Sequence, residues 1–241
     1  HMDMNGNSEL AVPQNTLRAE LRQLESKQWE QITLPHTPFV EPLTVLHQWQ
    51  GICYYKKKIT ITPEEAKKHI WIEFEGAMHL ADVWINGKHV MQHAGGYTPF
   101  VVDATGLLKT GKENELLVRL DNRNNSLIPP GKPLETLDFC YYGGIYRNVH
   151  LIAKADVHIT HPILDGHPAG AGIFITYPKV SQELSVVDAK TEIKNTSDKE
   201  KVVELRHTLY TWKKQKGKDK KVQNISETLT LQVVLGAGGV T

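Results

Sequence analysis

The chain has 241 residues, of which 40% are apolar, and its 28 basic and 27 acidic side chains leave a net charge of +1. This near-neutral balance excludes a general attraction to nucleic acid or to an anionic membrane surface, and no apolar run approaches the roughly 20 residues of a membrane-spanning helix. A chain of this length suits two domains of ordinary size. We therefore predict two folded domains, with no nucleic-acid or membrane partner.

The first residues carry little structural signal. The opening His1-Met2 has the character of an expression-tag remnant, and residues 1–14 are polar, so we expect them to be poorly ordered. No signal peptide is visible, and a periplasmic or secreted location would require that one has been removed. Leucine then recurs at helical spacing over residues 16–24, which predicts a short amphipathic helix.

Alternating apolar and polar residues predict β-strands through most of the following sequence. In chain order, the predicted strands cover residues 29–34, 54–62, 70–74, 81–85, 88–90, 100–103, 116–120 and 148–153. Within the third of them, Ile72 and Phe74 fall on one face. Asn86-Gly87 separates the fourth from the fifth and is the dipeptide that a type I′ hairpin requires, because both turn residues need positive φ. No helical run is long enough for a βαβ unit, so we predict an all-β fold.

A long irregular region precedes the last of these strands. Residues 121–133 are rich in Asn, Pro and Gly, and they lead into a stretch in which Asp138 lies among aromatic residues that include Tyr141. Irregular segments longer than about 12 residues are usually functional or disordered. Aromatic rings can cover the apolar face of a sugar while a carboxylate accepts hydrogen bonds from its hydroxyls, so this stretch is a candidate sugar site. The alternative is that the rings are core residues at strand spacing.

Two pairs of histidines have spacings that suggest metal binding, His89 with His93 and His158 with His161. On a strand, residues three apart point to opposite faces, and the first pair spans a strand end and a loop in the predicted structure. Solvated or hydrogen-bonded histidines are therefore the better interpretation, and we predict no metal site.

Cysteine and lysine also have structural interpretations. Cys53 and Cys140 are too few for a disulfide framework, so we predict two separate buried thiols. The lysine-rich run over residues 213–221 has no interleaved aromatic residue, which favours a solvated hairpin tip over a nucleic-acid site.

The composition changes near residue 155. Beyond it aromatic residues become rare, and strand patterns cover residues 173–176, 186–193, 202–212 and 228–234. We predict a first domain over residues 15–154 and a second β-sandwich over residues 155–241. An immunoglobulin-like sandwich normally has about seven strands and about five can be placed here, so we expect the second domain to be incomplete.

Several separated pieces of the sequence match one family pattern in order. They are LPHT at 34–37, QWQG at 48–51, FEGA at 74–77, VWING at 83–87, HAGGYTPF at 93–100, VRLDN at 118–122 and GGIYRNV at 143–149. This order resembles the N-terminal region of glycoside hydrolase family 2, the family of β-galactosidases, β-glucuronidases and β-mannosidases. The resemblance covers residues 29–153 well and the remainder only weakly.

The resemblance implies a galactose-binding-like jelly-roll domain, then an immunoglobulin-like domain, then a catalytic (β/α)₈ barrel that is absent from this chain. The barrel carries the family's acid/base and nucleophile glutamates, so no catalytic residue is expected here. In β-galactosidases, an aspartate at the position that Asp138 matches helps to hold the sugar hydroxyls and a nearby monovalent or divalent cation. Trp49 lies in a second segment that approaches the pocket, although the match there is looser.

We therefore expect this chain to be the non-catalytic N-terminal portion of a retaining family 2 glycosidase. Its expected sugar-binding residues are Asp138, Tyr141 and Trp49. Asp138 and the segment 48–51 favour the β-galactosidase branch. The implied partners are a carbohydrate substrate and the barrel of the same parent chain, and no cofactor is expected in this portion. Two alternatives stay open: an autonomous carbohydrate-binding module and a purely structural scaffold domain.

Overall fold

The structure is a computed structural model that describes residues 2–3, 8–11, 28–40, 48–137, 139, 142–166, 171–211 and 224–241. The chain divides into two compact units, His1–Ala155 and Asp156–Thr241. The regular secondary structure of the described residues is β-strand apart from two short 3₁₀ helices, which confirms the all-β prediction. Among them, no helix is long and apolar enough to cross a membrane.

The first unit is a β-sandwich. Its strands in the described ranges are β1 (Met2–Asp3), β2 (Ser8–Ala11), β3 (Glu30–Ile32), β4 (Ile52–Ile59), β5 (His69–Phe74), β6 (Leu80–Ile85), β7 (Lys88–Ala94), β8 (Phe100–Asp103), β9 (Asn114–Asp121) and β10 (Val149–Lys154). Short 3₁₀ helices lie at Glu65–Lys67 and Leu134–Thr136. The strands pair antiparallel in two sheets, with the orders β1-β10-β5-β8 and β3-β2-β4-β9-β6-β7.

The structure differs from expectation near the N-terminus. Residues 2–3 and 8–11, which the composition predicts to be poorly ordered, are strands: β1 pairs with β10, and β2 lies between β3 and β4. Without these segments, β4 and β10 would present unpaired backbone N–H and C=O groups, which pair readily with a further strand. The predicted helix over residues 16–24 falls outside the described residues.

The core lies between the two sheets and follows the period-two pattern of the strands. Ile72 and Phe74 of β5 are 0% and 1% exposed, and they share one apolar cluster with Val118 and Leu120 of β9 in the opposite sheet. Phe74 also stacks on Phe100 of β8, with ring centroids 4.6 Å apart. The face predicted for β5 is therefore confirmed. Burial of each such side chain contributes about 1.5–3 kcal/mol to the stability of the fold.

The predicted hairpin is also confirmed. Asn86 and Gly87 connect β6 to β7 with φ angles of 51° and 77°, the positive values that a type I′ turn needs. The Asn86 side chain does more than adopt this backbone: its Nδ2 donates to Leu107 O at 3.2 Å and to Asn114 Oδ1 at 2.9 Å. The turn is thus tied to the start of β9.

The connections of this sandwich gather at its two ends. At one end, which we call the loop end, the connecting segments adjoin strand ends that are neighbours in the sheets. These segments are residues 48–51, 75–79, 95–99, 122–131 and 142–148. The opposite end, which we call the turn end, contains the Asn86-Gly87 turn and residues 104–113. Strand β4 also ends there, where Ile59 pairs with Asn114. Trp49, one of the sugar-site candidates, lies in a loop-end segment.

The second unit is built from antiparallel pairs of strands. Its strands in the described residues are β11 (Val157–Ile159), β12 (Ile173–Val180), β13 (Ser185–Thr191), β14 (Ile193–Asn195), β15 (Lys201–Thr211) and β16 (Asn224–Leu235). They pair antiparallel as β11-β14, β12-β13 and β15-β16. The lysine-rich run falls outside the described residues, between β15 and β16. The immunoglobulin-like character of this unit stays a prediction.

Candidate functional site

Of the three predicted sugar-binding residues, the structure describes Trp49. Asp138 and Tyr141 fall outside the described residues. The residue before Asp138, Leu137, packs against the buried Met78, which belongs to the loop end. The chain therefore reaches the predicted Asp138 stretch from the same end of the sandwich that carries Trp49.

A buried asparagine holds the Trp49 segment. Asn122, which is 2% exposed, accepts a hydrogen bond from Gly51 N on Oδ1 at 2.7 Å and donates from Nδ2 to Trp49 O at 3.0 Å. Its backbone N–H also donates to Gly51 O at 3.1 Å, and Asn124 N donates to the Gln50 side chain at 2.8 Å. The β4–β9 ladder is thereby continued beyond the end of β9 by a side chain that acts as a peptide group. We did not single out Asn122 from the sequence, although it ends the VRLDN motif.

The Trp49 ring is partly buried between glycine backbones. A Cβ atom at Gly51 would lie 2.7 Å from Cζ2 of the ring, and one at Gly143 would lie 3.0 Å from Cζ3. Phe39, a residue that is 47% exposed, packs on the same ring with centroids 5.1 Å apart and planes tilted by 32°. Trp49 and Phe39 thus form an aromatic pair at the loop end. Sequence analysis did not identify Phe39, because its isolated position after a proline carries no pattern.

The segment that leads from the Asp138 stretch into β10 contains a constrained glycine. Gly144 has a φ of 106°, and a Cβ there would lie 2.6 Å from both His36 O and the Tyr55 hydroxyl. His36 N donates to Ile145 O at 2.8 Å, and His36 Nδ1 lies 3.1 Å from the Tyr55 hydroxyl. Burial lowers the pKa of His36 and raises that of Tyr55. Both groups are therefore neutral at pH 7, and they hold this bend without charge.

A second loop closes over the same end. The Tyr146 hydroxyl donates to Gly96 O, and its ring leaves no room for a Cβ at Gly76. Met78 N donates to Gly144 O at 2.9 Å. A Cβ at Gly96 would overlap Met78 Sδ, so close packing between loops accounts for Gly76 in the FEGA motif and for Gly96 in the HAGGYTPF motif.

Charged side chains form a network on the outer face of β6 and β9. Arg123 binds the carboxylate of Asp121 through Nε at 2.9 Å and a terminal nitrogen at 2.6 Å, while Arg119 lies 3.4 Å from Asp121 and 3.5 Å from the buried Asp82. Burial alone would raise the pKa of Asp121, but the hydrogen bonds and charges of the two arginines hold it below its usual value. Asp121 is therefore ionised at neutral pH and unsuited to donate a proton.

A polar pocket of about 310 Å³ opens beside this network. It is lined by His79, Leu80, Asp121, Arg123, Asn124 and Asn125. Burial lowers the pKa of His79, so this imidazole is neutral at pH 7. Amide, carboxylate and guanidinium groups supply both donors and acceptors, which is the chemistry that a hydroxyl-rich ligand needs.

The histidines that suggested metal binding have separate partners. His89 Nε2 lies 3.0 Å from the Asp82 carboxylate, whereas His93 Nε2 lies 3.2 Å from the Thr98 hydroxyl. Within the described ranges, no group of three or more His, Cys, Asp or Glu side chains could hold a metal ion. Cys53 is a buried free thiol, as predicted, and its burial raises its pKa. Cys140 falls outside the described residues.

The loop-end geometry can now be set beside known proteins. The family model described as "Glycosyl hydrolases family 2, sugar binding domain" matches residues 3–155. The chain belongs to glycoside hydrolase family 2. The first unit is thus the sugar-binding domain of a family 2 protein, and the loop end is its candidate binding surface.

Relatives in the family carry two kinds of name. A β-glucuronidase of Formosa agariphila is 32% identical over 190 residues, which covers 73% of this chain and 19% of that protein. A β-galactosidase of Thermoanaerobacter pseudethanolicus is 33% identical over 192 residues, which covers 77% of this chain and 26% of that protein. The chain thus spans about a fifth to a quarter of the length of these relatives.

Solved structures agree on the fold. The crystal structure of a Bacteroides uniformis β-glucuronidase is similar with a TM-score of 0.79 and 30% identity, covering 100% of this chain and 26% of that one. A second structure of a β-glucuronidase from the same organism, bound covalently to cyclophellitol-6-carboxylate aziridine, has the same TM-score at 29% identity. Both units of the family 2 chain therefore have counterparts in larger glycosidases.

Proposed function

We propose that this chain is the non-catalytic N-terminal region of a retaining family 2 glycosidase and that its loop end forms one wall of the sugar site. The observation that supports this most strongly is the match of residues 3–155 to the sugar-binding domain of the family. The convergence of Trp49 and the chain leading to Asp138 on one end of the sandwich is consistent with it. The barrel of the same polypeptide completes the site.

In this arrangement, the domain binds and orients sugar but breaks no bond. The Asp138 carboxylate accepts hydrogen bonds from sugar hydroxyls, and Tyr141 and Trp49 offer aromatic surface to the C–H face of the ring. Retaining hydrolysis needs two carboxyl groups about 5–5.5 Å apart on either side of the scissile bond, and the barrel supplies them. The isolated chain is therefore expected to hydrolyse no aryl glycoside.

For the substrate, we propose a β-galactoside, on the basis of Asp138 and the segment 48–51. A β-glucuronide is the second candidate, because relatives and solved structures named β-glucuronidase are as similar to this chain as those named β-galactosidase. A glucuronide differs from a galactoside in the configuration at C4 and in its C6 carboxylate, and a site for that carboxylate needs a cation or amide donors that a galactoside does not require.

The decisive experiment uses the complete enzyme that contains this sequence, assayed with the 4-nitrophenyl β-galactoside and β-glucuronide. We expect the galactoside to have the higher kcat/KM, and the opposite ranking would select the second candidate. Asp138→Ala should raise KM and lower kcat together, because the carboxylate orients the sugar. Unchanged kinetics would contradict the proposed role of Asp138.

A cation near Asp138 belongs to the same proposal. It would hold the sugar hydroxyls beside the carboxylate and take no part in bond cleavage. Chelation of divalent ions and exchange into a buffer free of alkali cations, followed by addition of Na⁺, K⁺ or Mg²⁺, tests it: KM should rise on removal and recover with one of these ions. A KM that is indifferent to all of them would show that no such cation acts in this protein.

A further inference from the structure

The loop end depends on one buried side chain that binds no ligand in the proposed function. Asn122 lies one residue beyond β9, and its amide bonds to both sides of the Trp49 segment, at Trp49 O and Gly51 N. The same amide is close to a third segment: a Cβ at Gly143 would lie 2.8 Å from Asn122 Nδ2. Three chain segments that are distant in sequence therefore meet at a single side chain.

We infer that Asn122 is a positioning residue, which fixes the Trp49 ring against Gly143 and so sets the wall of the sugar site that Trp49 contributes. This inference rests on the proposed function for its relevance to catalysis, but its structural content does not. The amide is suited to the task because it donates and accepts in one plane, as a peptide group does. An aspartate has nearly the same shape but would place an acceptor oxygen where Nδ2 donates to Trp49 O.

The strand itself offers a matched control. Asn114 begins β9, about 26 Å from Asn122 along an extended strand, and it is 0% exposed. Its Nδ2 donates to three carbonyls, Ile59 O, Lys109 O and Lys112 O, at 2.9–3.3 Å. Asn114→Asp therefore removes at least as many hydrogen bonds as Asn122→Asp, but at the turn end.

The experiment labels the chain with 5-fluorotryptophan and records ¹⁹F spectra. The chain has five tryptophans, and Trp49→Phe assigns the resonance of Trp49. We expect Asn122→Asp to shift and broaden the Trp49 resonance while those of Trp71 and Trp84 stay in place. Asn114→Asp should leave the Trp49 resonance unchanged. A Trp49 resonance that does not move in folded Asn122→Asp, or that moves equally in Asn114→Asp, overturns the inference.

Loss of folding is covered by a second substitution. If Asn122→Asp does not fold, Asn122→Ser replaces it, since a hydroxyl can bond to one of the two partners. If neither variant folds although Asn114→Asp does, Asn122 is a folding determinant rather than a positioning residue, and the inference fails.

Kinetics of the complete enzyme separate this inference from the proposed function. Asn122→Asp should lower kcat/KM by about tenfold to a hundredfold, because misplacement of a binding group costs that much, whereas Asn114→Asp should stay within twofold. If the Trp49 resonance shifts but kinetics are unchanged, Asn122 positions Trp49 as inferred, and it is the place of Trp49 in the sugar site that fails.

Discussion

The two ends of strand β9 solve the same problem with partners at very different distances along the chain. Asn114, at the turn end, bonds mostly within its own connection, to Lys109 and Lys112, which are five and two residues away. It also bonds to Asn86 and Ile59, which are 28 and 55 residues away. Asn122, at the loop end, bonds to Trp49 and Gly51, which are 73 and 71 residues away. Both asparagines are buried, and both form hydrogen bonds with backbone groups at the end of the sheet.

The difference shows what each end is built to do. The turn end is closed mostly by contacts within residues 104–114, with further bonds to the end of β4 and to the β6–β7 turn, so it can form as soon as the adjoining strands pair. The loop end is closed by segments that only the finished sandwich brings together, which makes it a product of the whole fold. A surface of that kind can hold side chains from several loops in fixed relation, as a binding site requires.

Glycine substitutions should give the largest difference in stability between the two ends. Gly144→Ala combines a positive φ with a Cβ 2.6 Å from His36 O, so we expect it to lower the free energy of unfolding by more than about 3 kcal/mol. Gly111→Ala, at the turn end, has a φ of 62° but meets nothing within 4 Å, and should cost about 1 kcal/mol. Urea unfolding of both variants checks the ranking, and equal losses would refute the close packing around Gly144.

The hairpin asparagine tests the turn end directly. Asn86→Ala removes bonds to Leu107 O and Asn114 Oδ1, and it replaces an asparagine, which tolerates positive φ, with an alanine, which does not. We expect a loss of about 2 kcal/mol in the free energy of unfolding, with the ¹⁹F resonance of Trp49 unchanged. Lys88→Ala, on the exposed residue that follows the turn, should stay within about 0.5 kcal/mol. A Trp49 shift in Asn86→Ala would mean that the two ends are not independent.

Acid should loosen the loop end before the turn end. Burial lowers the pKa of His36 and of His79, so below about pH 6.5 the unfolded chain binds protons that the folded chain does not, and stability falls as pH drops toward the folded pKa values. Between pH 7.5 and 5.5, hydrogen exchange corrected for its intrinsic rate should show more loss of protection at Met78 N than at Gly111 N. His36→Asn should reduce that loss, and an equal loss at both amides would count against the assignment.

Much of the sandwich could be predicted from the sequence, because its signals are local. Strand alternation places Ile72 and Phe74 in the core, and Asn86-Gly87 determines a turn through its own backbone preferences. The loop end could be predicted only in part. Trp49 stands out as an aromatic residue in a motif, but its packing against Gly143 follows from a contact between distant segments. The roles of Asp138 and Tyr141 stay predictions.

The smallest expected effect concerns two ion pairs, one near each end, which differ in how far their side chains are buried. The Asp121 side chain is 11% exposed and shared by two arginines, whereas Lys58 and Glu113, which lie 3.0 Å apart near the turn end, are each 60% exposed. A double-mutant cycle on Asp121 and Arg123 should give a coupling free energy of about 1 kcal/mol, because one partner is partly desolvated. The cycle on Lys58 and Glu113 should give less than about 0.5 kcal/mol, and less still in 0.5 M salt. Since both pairs have short contacts, equal coupling free energies would mean that distance rather than burial governs the coupling. The charged network would then stabilise the loop end no more than an exposed ion pair does.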